Sequence, residues 1–318
     1  MLSFVIGGAG FIGSHLVDRL VARGHVTVYD NLSVGRRDFI AKHLNSGHAT
    51  LVEGDLLDTD TLTKAMAGHH LVAHFAANPE ARWGLQRTRL DLEQGTIATY
   101  NVLEAMRHHH IPKLIFASSG TVYGERDQAC AEADLGSLPI SLYGASKMAS
   151  EALISAFSSC FGLQAWVYRF GNVVGPRGTH GAALDFLHKL KRTPQQLTVL
   201  GDGRQAKPYL LVSDCVDGIL YAFDHTDEAL NIYNLAPIGT TPVSRIAQWC
   251  IDASPYPDAT IVYTGGSRGW PGDIPRSRMD PGKLAALGWR VTHSSDEAVA
   301  LAISALAKEV FSPQRHHV

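Results

Sequence analysis

The chain has 318 residues, of which 45% are hydrophobic and 18% are charged, and its formal net charge is -2 at pH 7. This balance is typical of a folded globular protein and excludes an intrinsically disordered chain. The Lys and Arg residues are scattered and form no basic stripe, so we predict no nucleic-acid partner.

The sequence shows no signal for export or for a membrane span. Residues 1–6 lack the positive region and the cleavage site of a signal peptide. The longest apolar stretches, around residues 71–77 and 299–307, fall short of the roughly 20 residues that a membrane helix needs. The four cysteines form no Cys-x-x-Cys pair, which favours reduced thiols. We therefore predict a cytoplasmic protein that has no membrane partner.

The 16 histidines raise the question of a metal site. Residues 108–110 are all histidine, but they follow a helical pattern in which neighbouring side chains fan around the axis. The pairs His69–His70 and His316–His317 have no carboxylate or cysteine at ligand spacing. We therefore predict that the protein holds no metal.

Short β-type runs alternate with helical patterns in the first half of the chain. The predicted strands cover residues 2–6, 25–30, 49–53, 71–76, 113–117 and 165–170, and the predicted helices cover residues 11–22, 90–109 and 143–160. This alternation favours a parallel sheet covered by helices on both faces. After Asn172 glycine and proline become frequent, and a capping box at Ser294 and Glu297 predicts a last helix through Lys308. We therefore predict an α/β protein with a doubly wound sheet in residues 1–170, to which some later chain returns, and a smaller α/β domain in residues 171–318.

A glycine-rich turn lies between the first predicted strand and the first predicted helix. Its glycines at positions 7, 10 and 13 allow a tight turn, a close approach of the backbone to a pyrophosphate, and packing of the helix on the strand. The helix N-terminus then offers free N–H groups to the phosphates. Asp30, at the end of the second strand, can accept hydrogen bonds from the adenosine ribose and would repel a 2′-phosphate. These features predict a Rossmann-type dinucleotide site that prefers NAD, although Arg36 and Arg37 leave NADP open.

Two further features predict chemistry beside this site. Tyr143 and Lys147 are four residues apart at the start of a predicted helix, so they share one face. An ammonium close to a phenol favours the phenolate and lowers its pKa; the alternative is an ordinary helix surface. Ser119 and its neighbours end the strand that begins near Lys113, where ligands bind in an open parallel sheet. A hydroxyl there could bind a reacting sugar oxygen, or it could cap the next turn.

At this point the sequence resembles a known family. The residues that carry the resemblance are the glycine turn at 7–13, Asp30-Asn31-Leu32-Ser33, the Ser/Thr segment at 118–124, Tyr143-x-x-x-Lys147, and Asn172-Val173-Val174-Gly175-Pro176-Arg177. They occur in the order and spacing of the extended short-chain dehydrogenase/reductase family, in particular of UDP-glucose 4-epimerases and related nucleotide-sugar epimerases. The resemblance runs from Met1 to about Lys308.

The resemblance implies roles for individual residues. It implies catalysis by Tyr143, Lys147 and Ser119. It implies that NAD contacts Gly7, Gly10, Phe11, Ile12, Gly13, Asp30, Asn31, Ser33, Asp55, Leu56, Ala76, Tyr143 and Lys147. It implies that a UDP-sugar contacts Ser119, Gly120, Thr121, Asn172, Lys207, Tyr209, Arg268 and Asp273, and that residues 171–318 form the nucleotide-sugar-binding domain. By analogy it also implies a homodimer through the helices at 90–109 and 143–160.

The resemblance also bears on the reaction. Family 4,6-dehydratases carry an Asp-Glu pair after the catalytic Thr, and decarboxylases usually carry a Glu at the second of these positions; here the positions hold Gly120 and Thr121. The leading hypothesis is therefore an NAD-dependent epimerase that inverts C4 of a UDP-hexose through a 4-keto intermediate. The alternatives are another nucleotide-sugar reaction, namely decarboxylation, dehydration or reduction, and a protein that binds NAD or a nucleotide sugar without catalysis.

Some positions depart from the family pattern. Gly95 stands where the pattern places an Asn, and Ile6 replaces the Thr before the glycine turn. Lys207 and Pro208 replace the usual Arg-Asp, so that bidentate geometry is lost. Trp270 replaces an Arg, whose role Arg268 or Arg276 could take. Ser277 matches a position where a small residue permits N-acetylated sugars, and residues 78–82 could line the sugar pocket.

Overall fold

The computed structural model describes residues 1–134 and 137–312. The prediction for His316 and His317 lies outside the described residues. Among the described residues, no helix is both long and apolar enough to cross a membrane.

Thirteen strands are found in the described residues. They are β1 (Ser3–Ile6), β2 (Val26–Asp30), β3 (Ala49–Glu53), β4 (Leu71–His74), β5 (Lys113–Ser119), β6 (Gln164–Phe170), β7 (Asn172–Val174), β8 (Gln196–Val199), β9 (Ala206–Lys207), β10 (Tyr209–Leu211), β11 (Leu230–Leu235), β12 (Thr241–Pro242) and β13 (Thr260–Tyr263). Seven of them form the central sheet in the order β11-β6-β5-β4-β1-β2-β3. All of its neighbouring strands are parallel.

The helices of the described residues pack on this sheet or form a separate core in the C-terminal half. They are α1 (Phe11–Leu20), α2 (Ala41–Asn45), α3 (Thr59–Met66), α4 (Arg89–Asp91), α5 (Ala98–His108), α6 (Leu142–Phe161), α7 (Ala182–Arg192), α8 (Val212–His225), α9 (Val243–Asp252), α10 (Gly282–Ala286) and α11 (Ser295–Phe311). Helices α1 and α8 pack on one face of the sheet, and α3, α5 and α6 pack on the other.

The strands of the sheet are apolar on both sides because helices cover both faces. In β1, Val5 points into the cluster with α1 and α8, whereas Phe4 and Ile6 point into the cluster with α3, α5 and α6. This alternation follows from the two-residue period of a strand. The predicted fold, a Rossmann-type α/β sheet, is confirmed.

A separate core lies in the C-terminal half. Helices α7, α9 and α11 pack with β8 and β10 around Phe186, Leu187, Ile246 and Leu306. Ser294 and Glu297 form both bonds of a capping box at the start of α11, which continues three residues beyond Lys308 to Phe311. Strand β11 pairs with β6, so this part of the later chain completes the central sheet. The domain boundary at residues 170/171 stays a prediction.

The segment predicted as one helix at 90–109 differs most from its predicted form. It is divided into α4, a π-helical segment at Leu92–Ile97, and α5. Gly95 lies inside the π-helical segment, and a Cβ at this position would be 2.6 Å from Ser146 Oγ of α6. The wide turn lets the two helices approach closely at a glycine, and π-bulges are frequent at functional sites.

Candidate active site

A cavity of about 940 Å³ opens along the carboxyl ends of the central strands. Most of the predicted site residues line it: Gly7, Gly10, Phe11, Ile12, Gly13, Asp30, Asn31, Ser33, Leu56, Ala76, Ser119, Gly120, Thr121, Tyr143, Lys147, Asn172, Lys207, Tyr209 and Asp273. Asp55 and Arg268 are not part of this lining. Parallel α/β sheets bind ligands at this edge.

The glycine turn at the start of the cavity is closed by close backbone contacts. Gly7 has a φ of +72°, and a Cβ there would be 2.6 Å from Ala76 N. A Cβ on Gly13 would be 2.1 Å from Gly7 O. Helix α1 begins at Phe11, no side chain caps its N-terminus, and its first residues line the cavity. The turn is therefore a cradle of the shape and polarity that a pyrophosphate needs.

Asp30 lies at the end of β2 and is 8% exposed. Its Oδ2 accepts a hydrogen bond from Ala9 N at 3.0 Å and its Oδ1 accepts one from Leu32 N at 2.9 Å. Burial raises the pKa of this carboxyl group despite these bonds. Arg36, which left NADP open, forms an ion pair with Asp38 at 2.6 Å. The acidic side chain predicted to bind the ribose is thus held in place by backbone N–H groups of Ala9 and Leu32.

Asp55 supports a cavity residue without reaching the cavity. Its Oδ2 accepts a hydrogen bond from Asn31 Nδ2 at 3.0 Å, and its Oδ1 accepts one from Leu57 N at 2.9 Å. Asn31 in turn accepts bonds from the amide and hydroxyl of Ser33. In this arrangement Asp55 orients Asn31.

Tyr143 and Lys147 are brought together on one face of α6, as the spacing predicts. Ser141 caps this helix by accepting a bond from Gly144 N at 3.1 Å. Lys147 is 3% exposed, and its Nζ lies 5.8 Å from the centre of the Tyr143 ring. The same Nζ donates a hydrogen bond to Ala117 O at 2.7 Å. Strand β5 therefore fixes the ammonium beside the phenol.

The electrostatics of this pair differ from the expectation. Burial raises the pKa of Tyr143 to about 12, and the charge of Asp91 also acts to raise it. Burial also lowers the pKa of Lys147 to about 8, against the charges of Glu151 and Asp91. The expected lowering of the Tyr143 pKa is not found, because burial of the phenol is the largest influence on it.

Ser119 both caps a turn and lines the cavity. Its Oγ accepts hydrogen bonds from Thr121 N at 3.2 Å and from Thr121 Oγ1 at 2.9 Å. Both bonds use the hydroxyl oxygen as the acceptor, which leaves the Ser119 proton to donate to a ligand. At Gly120, a Cβ would be 2.8 Å from Met279 Sδ and 3.2 Å from Phe170 O. No carboxylate can be accommodated there without rearrangement.

A buried ionic network behind the catalytic helix was missed from the sequence. Arg169 of β6 is 1% exposed, and its Nη2 forms an ion pair with Glu151 Oε2 at 2.6 Å. Glu151 also accepts a hydrogen bond from Ser118 Oγ, and Arg169 Nη1 donates to Tyr123 OH at 2.9 Å. An arginine inside an otherwise apolar strand, with a glutamate four residues after Lys147, was the available signal.

The far end of the cavity carries paired charges. Lys207 Nζ lies 2.5 Å from Asp273 Oδ1, so the two predicted substrate residues contact each other. Arg268 donates to Asp273 O at 2.6 Å and forms an ion pair with Glu125 at 2.7 Å. Arg268 thus holds the segment that carries Asp273. Asn172 and Tyr209 are paired across β7 and β10.

Some cavity residues had only a weak sequence signal for a role in the sugar pocket. Glu80 and Arg82 form an ion pair at 2.6 Å in the lining. Trp270 and Ser277 also line the cavity, whereas Arg276 does not. His180 lines it as well and had no sequence signal. Within residues 1–134 and 137–312 no group of three His, Cys, Asp or Glu side chains could hold a metal ion.

The sequence model of the NAD dependent epimerase/dehydratase family matches residues 3–236. The chain belongs to this family. Its cofactor is NAD, and the resemblance to UDP-glucose 4-epimerases is confirmed by the relatives. The UDP-glucose 4-epimerase of Corynebacterium glutamicum is 27% identical over 318 residues, which cover 92% of each chain.

Solved structures agree over nearly the whole chain. A crystal structure of a UDP-galactose 4-epimerase is 38% identical, with a TM-score of 0.86, and the match covers 97% of this chain and 99% of that one. The UDP-glucose 4-epimerase of Thermus thermophilus, solved in complex with NAD, is 30% identical with a TM-score of 0.86, and the match covers 96% of this chain and 99% of that one.

Relatives with other reactions also match. A UDP-N-acetyl-alpha-D-glucosaminuronate decarboxylase of Bacillus cytotoxicus is 29% identical over 88% of this chain and 89% of its own. A dTDP-glucose 4,6-dehydratase of Actinoplanes sp. is 28% identical over 91% of this chain and 92% of its own. The chain is therefore an enzyme of the nucleotide-sugar epimerase/dehydratase superfamily.

Proposed function

We propose that this enzyme is a UDP-hexose 4-epimerase that uses NAD. The observation that carries the proposal is the convergence of Tyr143, Lys147 and Ser119 on one cavity with the glycine turn and Asp30. Gly120 and Thr121 carry no carboxylate where dehydratases have an Asp-Glu pair and decarboxylases usually have a Glu, which argues in addition against both reactions.

The residues of the cavity fit NAD. The backbone cradle at Gly7, Gly10 and Gly13 would hold the pyrophosphate, Asp30 would hold the adenosine ribose, and Lys147 would hold the nicotinamide ribose. Phe11, Ile12, Asn31, Ser33, Leu56 and Ala76 would complete the contacts, with Asp55 acting through Asn31. When bound, NAD supplies a hydride acceptor that is regenerated in each turnover.

The chain's own groups would move the proton and orient the sugar. Tyr143 would accept the proton of the sugar 4-hydroxyl, and Ser119 would donate a hydrogen bond to that oxygen while it becomes a ketone. Lys147, held by Ala117 O, would stabilise the phenolate. A transient 4-keto sugar would then rotate about its diphosphate linkage. Tyr143 would return the proton to the 4-oxygen as the sugar takes back the hydride on its other face.

The paired charges at the far end would anchor the nucleotide. Asn172, Lys207 and Tyr209 would contact the diphosphate and uridine, and Asp273 would do so while Arg268 holds its backbone. Names of solved relatives support a UDP-sugar substrate: they include UDP-glucose and UDP-glucuronic acid complexes. Ser277, a small residue in the lining, would permit an N-acetylated sugar.

Product analysis tests the proposal. Purified protein with UDP-galactose, UDP-GlcNAc or UDP-glucuronate should form the C4 epimer of at least one of them. Tyr143→Phe should lower this rate by about a hundredfold to ten-thousandfold, because it removes the acid/base group. Retained NAD in the variant is the control for folding. Absence of any C4 epimer removes the proposal.

The competing activities give different signals. Net reduction would consume added NADH or NADPH in proportion to product, whereas epimerisation consumes none. Decarboxylation of UDP-glucuronate would release carbon dioxide. Unchanged turnover in Tyr143→Phe would favour a binding protein with a contaminating enzyme.

We also propose a homodimer through α5 and α6. Both helices are amphipathic elements on the sheet, yet they expose large apolar side chains: Tyr100 is 46% exposed and Phe161 is 57% exposed. Leu92, in the preceding π-helical segment, is 50% exposed. Exposed apolar surface of this kind is typical of a protein–protein interface.

A further inference from the structure

A buried carboxylate outside the predicted site residues lies next to the catalytic pair. Asp91 ends α4 and is 1% exposed. A Cβ on Gly84 would lie 2.5 Å from Asp91 Oδ2 and 3.6 Å from Leu142 Cβ, so the carboxylate lies near the first turn of α6, which carries Tyr143. Its charge acts to raise the pKa of Tyr143 and that of Lys147. No sequence motif pointed to this residue.

The negative charge of Asp91 is not balanced by a hydrogen bond from a charged group among the described residues. Its Oδ1 accepts a bond from Asn78 Nδ2 at 3.0 Å, while its Oδ2 is buried and has no partner among the described residues. A Cβ on Gly84 would be 2.5 Å from this Oδ2. The carboxylate therefore fills the space that a side chain at position 84 would take. A buried carboxylate with one neutral partner is costly unless a cation balances it.

The other ionisable groups around Lys147 are either paired with a counter-charge or neutral near pH 7. Glu151, on the same helix, is paired with Arg169. His74, on β4, is fully buried, and burial lowers its pKa to about 3, so it is neutral near pH 7. Tyr143 is neutral below its pKa of about 12. Of the carboxylates that act on Lys147, Asp91 is therefore the one that no arginine among the described residues compensates.

The π-helical segment explains why the carboxylate comes from position 91. Gly95, one turn later, contacts α6 at Ser146 and cannot carry a side chain. The Gly95 carbonyl instead accepts a bond from Thr99 Oγ1 at 2.7 Å. In the π-helical segment the uncharged Gln94 lines the cavity and Glu93 is paired with Arg89 at 2.8 Å. The carboxylate without an ion pair among the described residues therefore comes from Asp91, in the preceding turn.

We propose that Asp91 is a positioning residue of the Tyr143–Lys147 pair: its buried carboxylate is the counter-charge that keeps Lys147 as an ammonium beside the phenol. Its bond to Asn78 also anchors the turn whose Glu80 lines the cavity, since Asn78 donates to Glu80 O at 3.1 Å and accepts from Glu80 N at 3.1 Å. The proposal concerns the proton-transfer pair and does not depend on which sugar is the substrate.

The sign of the effect follows from the charge. A negative charge favours the ammonium and disfavours the phenolate, so it raises both pKa values. Asp91→Asn keeps the acceptor for Asn78 and the side-chain shape but removes the charge. Both pKa values should then fall, and a bell-shaped pH profile should move as a whole to lower pH.

The first test follows Lys147 directly, without turnover. Nitrogen-detected NMR of the lysine ammonium groups, assigned with Lys147→Met, should show Lys147 titrating about one pH unit lower in Asp91→Asn than in the wild-type chain. Asp60→Asn removes an equal charge from an exposed position on α3 and should leave this titration unchanged. An identical Lys147 titration in wild type and Asp91→Asn overturns the proposal.

The second test uses the reaction. Both limbs of the pH profile of C4 epimerisation should move to lower pH in Asp91→Asn, while the KM for the UDP-sugar stays within about twofold. A loss of kcat with unmoved limbs would show a merely structural role and would overturn the proposal. If no UDP-sugar is epimerised, the proposed function fails, but the NMR titration still decides the role of Asp91.

Discussion

At the scale of single residues, burial disfavours the charged forms of the ionisable groups in the site. Lys147 and Tyr143 are both desolvated, which favours the neutral forms of both. Phenolate and ammonium stabilise each other only when they form together in this low-dielectric setting. The fixed bond from Lys147 to Ala117 O keeps the ammonium in place for that event. Rigid placement, more than an intrinsically acidic tyrosine, is what the fold contributes here.

Gly7 offers a residue-scale prediction. Gly7→Ala should weaken NAD binding at least tenfold, because the new Cβ would press on the Ala76 backbone, 2.6 Å away, and distort the phosphate cradle. The matched control is Gly47→Ala, which has nearly the same φ of +73° but nothing within 4 Å of its Cβ.

Calorimetric titration with NAD and thermal unfolding separate the two effects. Gly47→Ala should lose about 1–2 kcal/mol of stability through the left-handed backbone alone. Gly7→Ala should lose more because of the added clash, and only Gly7→Ala should lose affinity for NAD. Equal affinity losses would contradict the prediction, since the crowding would then be irrelevant.

At the scale of elements, β5, β6 and α6 are joined by the buried network of Glu151, Arg169, Ser118 and Tyr123. Asn234 Oδ1 on β11 accepts a hydrogen bond from Tyr123 OH at 2.7 Å, so the network also reaches the edge strand beside β6. These bonds fix the end of β5, where Ser119 lies, relative to the helix that carries Tyr143. The proposed catalytic groups come from two different elements, and this network joins those elements.

Breaking the Glu151–Arg169 pair should therefore destabilise the folded protein strongly. Arg169→Met should lower the free energy of unfolding by about 3–5 kcal/mol, because it leaves Glu151 buried without a counter-charge. Adding Glu151→Gln should restore part of this loss. In contrast, Arg107→Met breaks the exposed Arg107–Glu104 pair, 2.8 Å apart, and should lower the free energy of unfolding far less.

Urea unfolding of the four proteins measures these differences. A loss below about 1 kcal/mol in Arg169→Met would show that Glu151 finds another partner or takes up a proton.

Elements that follow a local pattern could be predicted from the sequence, and those set by contacts between elements could not. The strand–helix alternation, the glycine turn and the Ser294 capping box depend on neighbouring residues, and they appear as expected. The π-helical segment depends on the approach of Gly95 to Ser146, 51 residues later in the chain. The contact of Lys207 with Asp273 likewise joins residues far apart in sequence. Asp91 was missed for the same reason, since its role depends on where α6 lies.

At the scale of the whole molecule, the exposed apolar side chains on α5 and α6 bear on assembly. Tyr100→Lys should convert a dimer into a monomer, because a charge at the centre of an apolar interface remains unpaired. Sedimentation equilibrium of wild type and variant measures this. Leu301→Lys, on the exposed face of α11, is the control, since Leu301 is 48% exposed in another part of the molecule. A wild-type monomer would contradict the dimer. The cytoplasmic location stays a prediction.

Stability of the whole fold should also depend on pH through His74. This residue of β4 is 1% exposed, and burial lowers its pKa from 6.5 to about 3. The unfolded chain takes up a proton below about pH 6.5, whereas the folded chain resists protonation until about pH 3. His74 therefore contributes full stability above pH 6.5, and this contribution is lost as the pH falls, at up to about 1.4 kcal/mol per pH unit.

The His74→Gln variant should remove this part of the acid dependence. Its unfolding free energy, measured by urea titration from pH 7 to pH 5, should fall less steeply than that of the wild-type chain, by about one proton's slope. His48→Gln, at an exposed position, controls for the loss of a histidine elsewhere. Equal slopes in the wild type and His74→Gln would mean that the folded chain protonates the imidazole, whose Nε2 lies 3.3 Å from the hydroxyl of Thr99 on α5, and would contradict the prediction.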